Sequence, residues 1–179
     1  MKKLFALILS LCLLAGCCAF AEEAENDSMP EINWADAEEA ASQIDGQFTA
    51  IADLGLKIFV PAIFGNAEVT EEQKAAGVIA LLSTADGAGR VSFTYQDLGE
   101  MEDDAFIDEL EKAGATEIEW ALLNGCDALS YELAVNGTQT TNVVLFNDSK
   151  ILTVSFAPTD DEGFKGVAGI MTASIQPAE

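Results

Sequence analysis

The stretch TEIEWALLNGCDALSYELAVNGTQTTNVVLFNDSKILTVSFA, Thr116 to Ala157, decides the fold. Ile118, Trp120 and Leu122 alternate with Glu117 and Glu119, and Leu129, Tyr131, Leu133 and Val135 alternate with Ser130, Glu132 and Ala134. Successive side chains of a strand point to opposite faces, so a period of two predicts half-buried strands. Asn124-Gly125 and Asn136-Gly137 stand between these runs. Both residue types accept the positive φ that a two-residue hairpin turn requires. Val143 to Phe146 and Ile151 to Ala157, separated by Asn147-Asp148, add two more strands. The stretch therefore predicts an antiparallel meander.

Toward the carboxyl end, Pro158 stops the meander and Thr159-x-x-Glu162 has the form of a capping box. Phe164, Val167, Ile170, Met171 and Ser174 then fall on one stripe of a closing helix that runs to about Ala173. Gly163, Gly166 and Gly169 each weaken that helix by roughly 1 kcal/mol against alanine, and they predict a close approach to the sheet.

Toward the amino end, a helix is predicted from about Asp103 to Ala113, with Phe106, Ile107 and Leu110 on one face and Gly114 as its stop. Val91, Phe93 and Tyr95 alternate with polar residues as a strand, Asp86-Gly87-Ala88-Gly89 is a turn, and Val78 to Leu82 is another strand. Thr70-Glu71-Glu72-Gln73 is a further capping box, opening a short helix that Gly77 closes. Phe48 to Ile51 and Leu56 to Val60 flank Leu54-Gly55 as a first hairpin. Asn33 is placed to cap a helix in which Trp34, Ala37, Ala41 and Ile44 recur at helical spacing. These elements describe an α+β domain, an antiparallel β-sheet with helices packed on it.

The order of these elements resembles the PsbP-like (Mog/PsbP-type) α-β-α sandwich family. The residues that carry the resemblance are Leu56-Lys57-Ile58-Phe59-Val60-Pro61, the hairpin Asn124-Gly125-Cys126-Asp127-Ala128, and the helix after Ala157-Pro158; it spans Phe48 to Ile175. After that first proline the family usually carries an aromatic or Trp, whereas this chain reads Ala62-Ile63-Phe64-Gly65. The resemblance implies the sandwich fold and, in general terms, a non-catalytic binding role: the family's eukaryotic members bind protein partners, while many of its exported bacterial members are of unknown function. It matches no functional residues onto this chain.

Met1-Lys2-Lys3, the apolar Leu4 to Ala15 and the small residues that follow have the layout of a secretory signal. Two processing readings compete. Ala19-Phe20-Ala21 is an A-x-A site with cleavage after Ala21, while Leu14-Ala15-Gly16-Cys17 resembles a bacterial lipobox, in which residues 1–16 are removed and Cys17 is lipidated. Either route predicts an exported chain, extracellular or anchored on the outer face of the cytoplasmic membrane. Residues 22–32 read as an acidic tether and residues 33–179 as a single domain.

The chain of 179 residues holds 31 Asp and Glu, 8 Lys and Arg and no histidine, for a formal charge of −23. Loss of Lys2 and Lys3 with the signal takes the mature form to −25. Without histidine there is no Ser-His-Asp or Cys-His pair, no imidazole base and no His-ligated metal. The charge excludes a phosphate-binding surface, so nucleic acid is no partner, and a membrane is reached only through an anchor at Cys17. Cys12, Cys17 and Cys18 belong to the leader region, leaving Cys126 alone in the domain, with no intradomain disulfide and the character of a small hydrophobe.

Dense acids at Glu102-Asp103-Asp104, Asp108-Glu109 and Asp160-Asp161-Glu162 invite an acid-base or calcium reading. Two of these clusters sit at helix starts, where acids complement the dipole, and none has the spacing of an EF-hand. Gly87-x-Gly89 precedes a strand and is a turn, not a phosphate loop. The sequons at Asn136 and Asn147 double as hairpin turns. Trp34 and Trp120 suit a carbohydrate platform or the core, and strand alternation favours the core. The sequence thus predicts an exported, monomeric, non-enzymatic binding or accessory protein that meets an unidentified protein or envelope component. It predicts no catalytic residues, no metal and no cofactor. A carboxylate-dependent enzyme acting on glycans, or an acidic protein that binds divalent cations weakly, is the alternative.

Overall fold

The computed structural model describes residues 29–99, 101–147 and 149–178. The predicted leader, with Cys17 and Ala21, lies outside the described residues, as do residues 22–28 of the predicted tether and Asp148. The strands are β1 (Glu31–Ile32), β2 (Gly46–Ala50), β3 (Leu56–Pro61), β4 (Phe64–Asn66), β5 (Val78–Thr84), β6 (Arg90–Asp97), β7 (Thr116–Leu123), β8 (Cys126–Val135), β9 (Thr138–Asn147), β10 (Lys150–Ala157) and β11 (Gln176–Pro177). The helices are α1 (Trp34–Ala41), α2 (Glu71–Ala75), α3 (Asp103–Lys112) and α4 (Glu162–Ala173). No helix among the described residues is long and apolar enough to cross a membrane.

The meander forms as expected, with β7, β8, β9 and β10 consecutive neighbours. Asn124 and Gly125 have φ of 47° and 81°, and Asn136 and Gly137 of 53° and 81°, so both turns take the left-handed pair that suits the twist of a hairpin. The sheet then continues through β6, β5 and β4. On its other edge β1 joins β7 in parallel, so residues 31 and 32, the end of the stretch that reads as a tether, are a strand and the sheet is mixed.

Burial within the meander exceeds the half-buried pattern that alternation suggests. Ala128, Leu145 and Leu152 align across three strands and face one core, while Leu129 and Val144, with Ile151, face another. Val143, Val144 and Leu145 are consecutive and all buried. Strands covered on both faces read as continuous apolar runs, which is the physical meaning of that triplet.

The first hairpin does not join this sheet. β2 and β3 pair with each other, and β11 closes a separate three-stranded sheet on β3. The reason is long-range: the Phe59 N–H donates to Ser174 Oγ at 2.8 Å, and that hydroxyl donates to the Met171 carbonyl at 2.6 Å. The end of α4 thus supplies ladder partners that the large sheet would otherwise provide. This small sheet and α4 lie over one face of the large sheet; α3 lies over the other.

Two cap assignments change. Thr70 and Gln73 form the reciprocal box read from the sequence, but α4 is capped by Asp161, whose carboxylate accepts the Phe164 N–H at 2.8 Å. Thr159 is instead 4% exposed, with a buried hydroxyl that has no partner among the described residues. Asn33 occupies the first cap position of α1 without bonding through its side chain. The cap comes from Asn124, whose Oδ1 accepts the Trp34 N–H at 2.6 Å, while its Nδ2 donates to the carbonyls of Ala173 and Ile175 at 2.7 Å each. One turn residue therefore ties together the start of α1, the end of α4 and the β7–β8 hairpin. Of the three helix glycines, Gly166 is buried against the body, whereas Gly163 and Gly169 are exposed, so the close approach belongs to Gly166 alone.

Candidate binding surface

The acidic clusters do not converge. Glu102, Asp103 and Asp104 open α3, and Asp160, Asp161 and Glu162 lead into α4; all six are exposed. Asp108 and Glu109 are exposed on α3, where Asp108 meets Lys112 at 3.9 Å. Among the described residues no group of three or more carboxylates and thiols is positioned to hold a metal. Asp86 has its carboxyl held below the usual range by hydrogen bonds from the Thr84 hydroxyl and the Ala88 N–H, which close the turn between β5 and β6.

Cys126 is partly buried against the larger core, and burial, then the charge of Asp127, pushes its thiol up. A raised thiol keeps little thiolate at neutral pH, so it packs as a hydrophobe. The two tryptophans lie in different clusters and form no shared platform. Trp34 meets Phe48 edge-on and Phe59 at a tilt beside α1, and Trp120 packs at a tilt on Phe146 at 5.1 Å under α3. Lys165 is held protonated to higher pH by its 3.0 Å bond to Glu132, an ion pair that ties α4 to β8.

Among the described residues two open clefts remain, one of about 390 Å³ between residues 62–66 and 83–85 and one of about 460 Å³ beside α3. The second is the one flanked by acids from two elements. Its floor is Leu98, Met101, Phe106 and Ile151, one wall is Ala75-Ala76-Gly77 with Gln96, and Asp97 and Glu109 stand on its rim. Local sequence chemistry builds each side. The Thr70 box fixes α2, and Gly77 turns the chain with φ of 88°, where a Cβ would lie 2.8 Å from the Tyr95 carbonyl oxygen. Gln96 Nε2 donates to the Ala76 carbonyl at 3.2 Å, pinning α2 to the end of β6. Across the cleft Phe106 is anchored edge-on against Phe146 at 6.0 Å. Neither Leu98 nor Met101 belongs to a periodic run, so residue alternation offers no sign of the cleft.

No family model matches the chain, and no curated protein matches it in sequence. Solved structures do match. The cyanobacterial PsbP protein CyanoP of Synechocystis is similar over 75% of this chain and 93% of its own, with 14% identity and a TM-score of 0.55. The Saccharomyces cerevisiae Ran-binding protein Mog1p matches over 76% of this chain and 97% of its own, at 10% identity and TM-score 0.49. LpqN of Mycobacterium tuberculosis, a protein involved in cell envelope biogenesis, matches over 84% and 99%, at 15% identity and TM-score 0.46. With the meander, the flanking helices and the CyanoP superposition in agreement, the chain has a PsbP-like fold.

Proposed function

We propose that this chain is an exported, non-enzymatic binding or accessory module of the cell envelope or extracellular space. The observation that carries the reading is the cleft beside α3: an apolar floor under a polar rim, open to solvent, is the form of a surface that holds a partner. The acids support it by being exposed on separate elements, and the raised Cys126 thiol offers no ready nucleophile. Export rests on the signal layout of Met1 to Ala21, and mass spectrometry of the native amino terminus distinguishes a lipidated Cys17 from cleavage after Ala21.

A photoreactive amino acid placed at Met101, on the cleft floor, and separately at the exposed Val135 tests the role in the producing cell. A discrete envelope adduct is expected from position 101 and not from position 135. No adduct from position 101 removes the cleft as the working surface.

A further inference from the structure

The shape and charge of the cleft choose among occupants, and we propose that it receives a lysine or arginine side chain from a basic segment of a protein partner. This deepens the binding-module reading and rests on it. At about 460 Å³ the cleft lies within the range of small-ligand sites, roughly 300–1,000 Å³, a size that suits one or two side chains more than a whole helix. Leu98, Met101, Phe106 and Ile151 offer an apolar bed for a long methylene stem, and a cationic side chain lays its stem on such a surface while its head stays wet.

The rim meets that head. Asp97 comes from the end of β6 and Glu109 from α3, so the two carboxylates stand on different walls. One oxygen of Asp97 accepts the Gly99 N–H at 2.7 Å, which orients the carboxylate, and among the described residues its second oxygen has no hydrogen-bond partner. Elsewhere on α3, outside the cleft lining, Asp103, Asp104, Asp108 and Glu111 outnumber the single Lys112, itself beside Asp108, so the helix as a whole is anionic. A purely apolar occupant would desolvate the rim acids without a counter-charge, an acidic one would be repelled, and a second copy of this chain carries the same −23. A basic segment suffers none of these penalties.

The test uses the purified protein and a fluorescein-labelled synthetic peptide with Lys spaced among Gly and Leu, followed by polarisation at low salt. A strongly acidic protein attracts cations everywhere, so position decides the matter. The double variant Asp97→Asn/Glu109→Gln is compared with Glu38→Gln/Glu39→Gln, which removes the same charge from α1 across the sheet. The cleft pair is expected to weaken binding at least about fivefold and the α1 pair less than about twofold. Met101→Lys, at an already half-exposed site, is expected to abolish binding with the thermal midpoint held. Equal losses in the two double variants, unchanged binding in Met101→Lys, or equal binding of the matched Glu peptide each overturn the proposal. Absent peptide binding beside a persisting adduct from position 101 overturns the basic occupant and leaves the binding module standing; loss of both removes both.

Discussion

The two faces of the large sheet are covered by one long helix each, and the helices are held very differently. α4 buries five residues, Gly166, Ala168, Ile170, Met171 and Ala173, whereas α3 buries none. Beneath α4 the core includes Val91, Leu123, Leu145, Val154 and Phe156, reinforced by the small sheet through Ile58. Beneath α3 the buried residues are Ala115, Leu129, Tyr131, Val144 and Ile151, and the helix contributes only half-buried side chains. The difference separates the face that anchors the fold from the face that carries the proposed binding cleft. One face is closed by a helix whose apolar stripe is buried; the other leaves its helix proud of the sheet, with a cleft along its side. Local opening is easiest where few apolar contacts must break, so the α3 side is also where the molecule has freedom to adjust.

The largest effect that can break this comparison comes from Phe156→Ala, which empties a site with no exposure in the core under α4. A loss of about 3–5 kcal/mol is expected in urea unfolding. Phe106→Ala on α3 is expected to lose about half as much or less, because its ring is already partly in water. Equal losses would mean that the two faces are closed alike. Next comes the knot at Asn124. Asn124→Gly keeps the left-handed turn and deletes three hydrogen bonds, with about 2–4 kcal/mol lost. Asn124→Asp retains the acceptor for the Trp34 N–H but turns a carboxylate toward the Ala173 and Ile175 carbonyls, so it should fare no better than glycine.

Hydrogen exchange sharpens the same contrast without substitution. Amides of α3 should exchange well before those of α4, and simultaneous exchange would make the two helices one cooperative unit. The smallest effect concerns Thr159. Its buried hydroxyl lacks a partner among the described residues, so Thr159→Val, which keeps the shape, should raise stability by about 1 kcal/mol in the same urea assay. A loss of similar size would show that the hydroxyl has a partner in solution.

Much of the fold was legible because its signals are local. The two Asn-Gly turns, the period of two from Ile118 to Val135 and the Thr70 capping box all act within a few residues, and each appears where the sequence places it. The misreadings share one cause. Thr159 and Asn33 have the right residue type for a cap, yet Asp161 and the distant Asn124 make those bonds. The hairpin of β2 and β3 was readable as a hairpin, but not its separation from the large sheet, because that depends on Ser174, more than a hundred residues away. The cleft was invisible for the same reason: Gly77, Asp97, Met101, Glu109 and Ile151 meet only when α2, β6, α3 and β10 are in place.

By itself the sequence determined the charge, the missing histidine chemistry, the turns and the alternation that commits Thr116 to Ala157 to a meander. These follow from residue type and near-neighbour backbone geometry, which a chain carries whether or not it has folded. Only the tertiary structure decided which helix would be buried, where strand edges would find their hydrogen-bond partners, and that an apolar floor would open between two acids. Those outcomes depend on which distant surfaces exclude water together, a property of the assembled layers and not of any single segment.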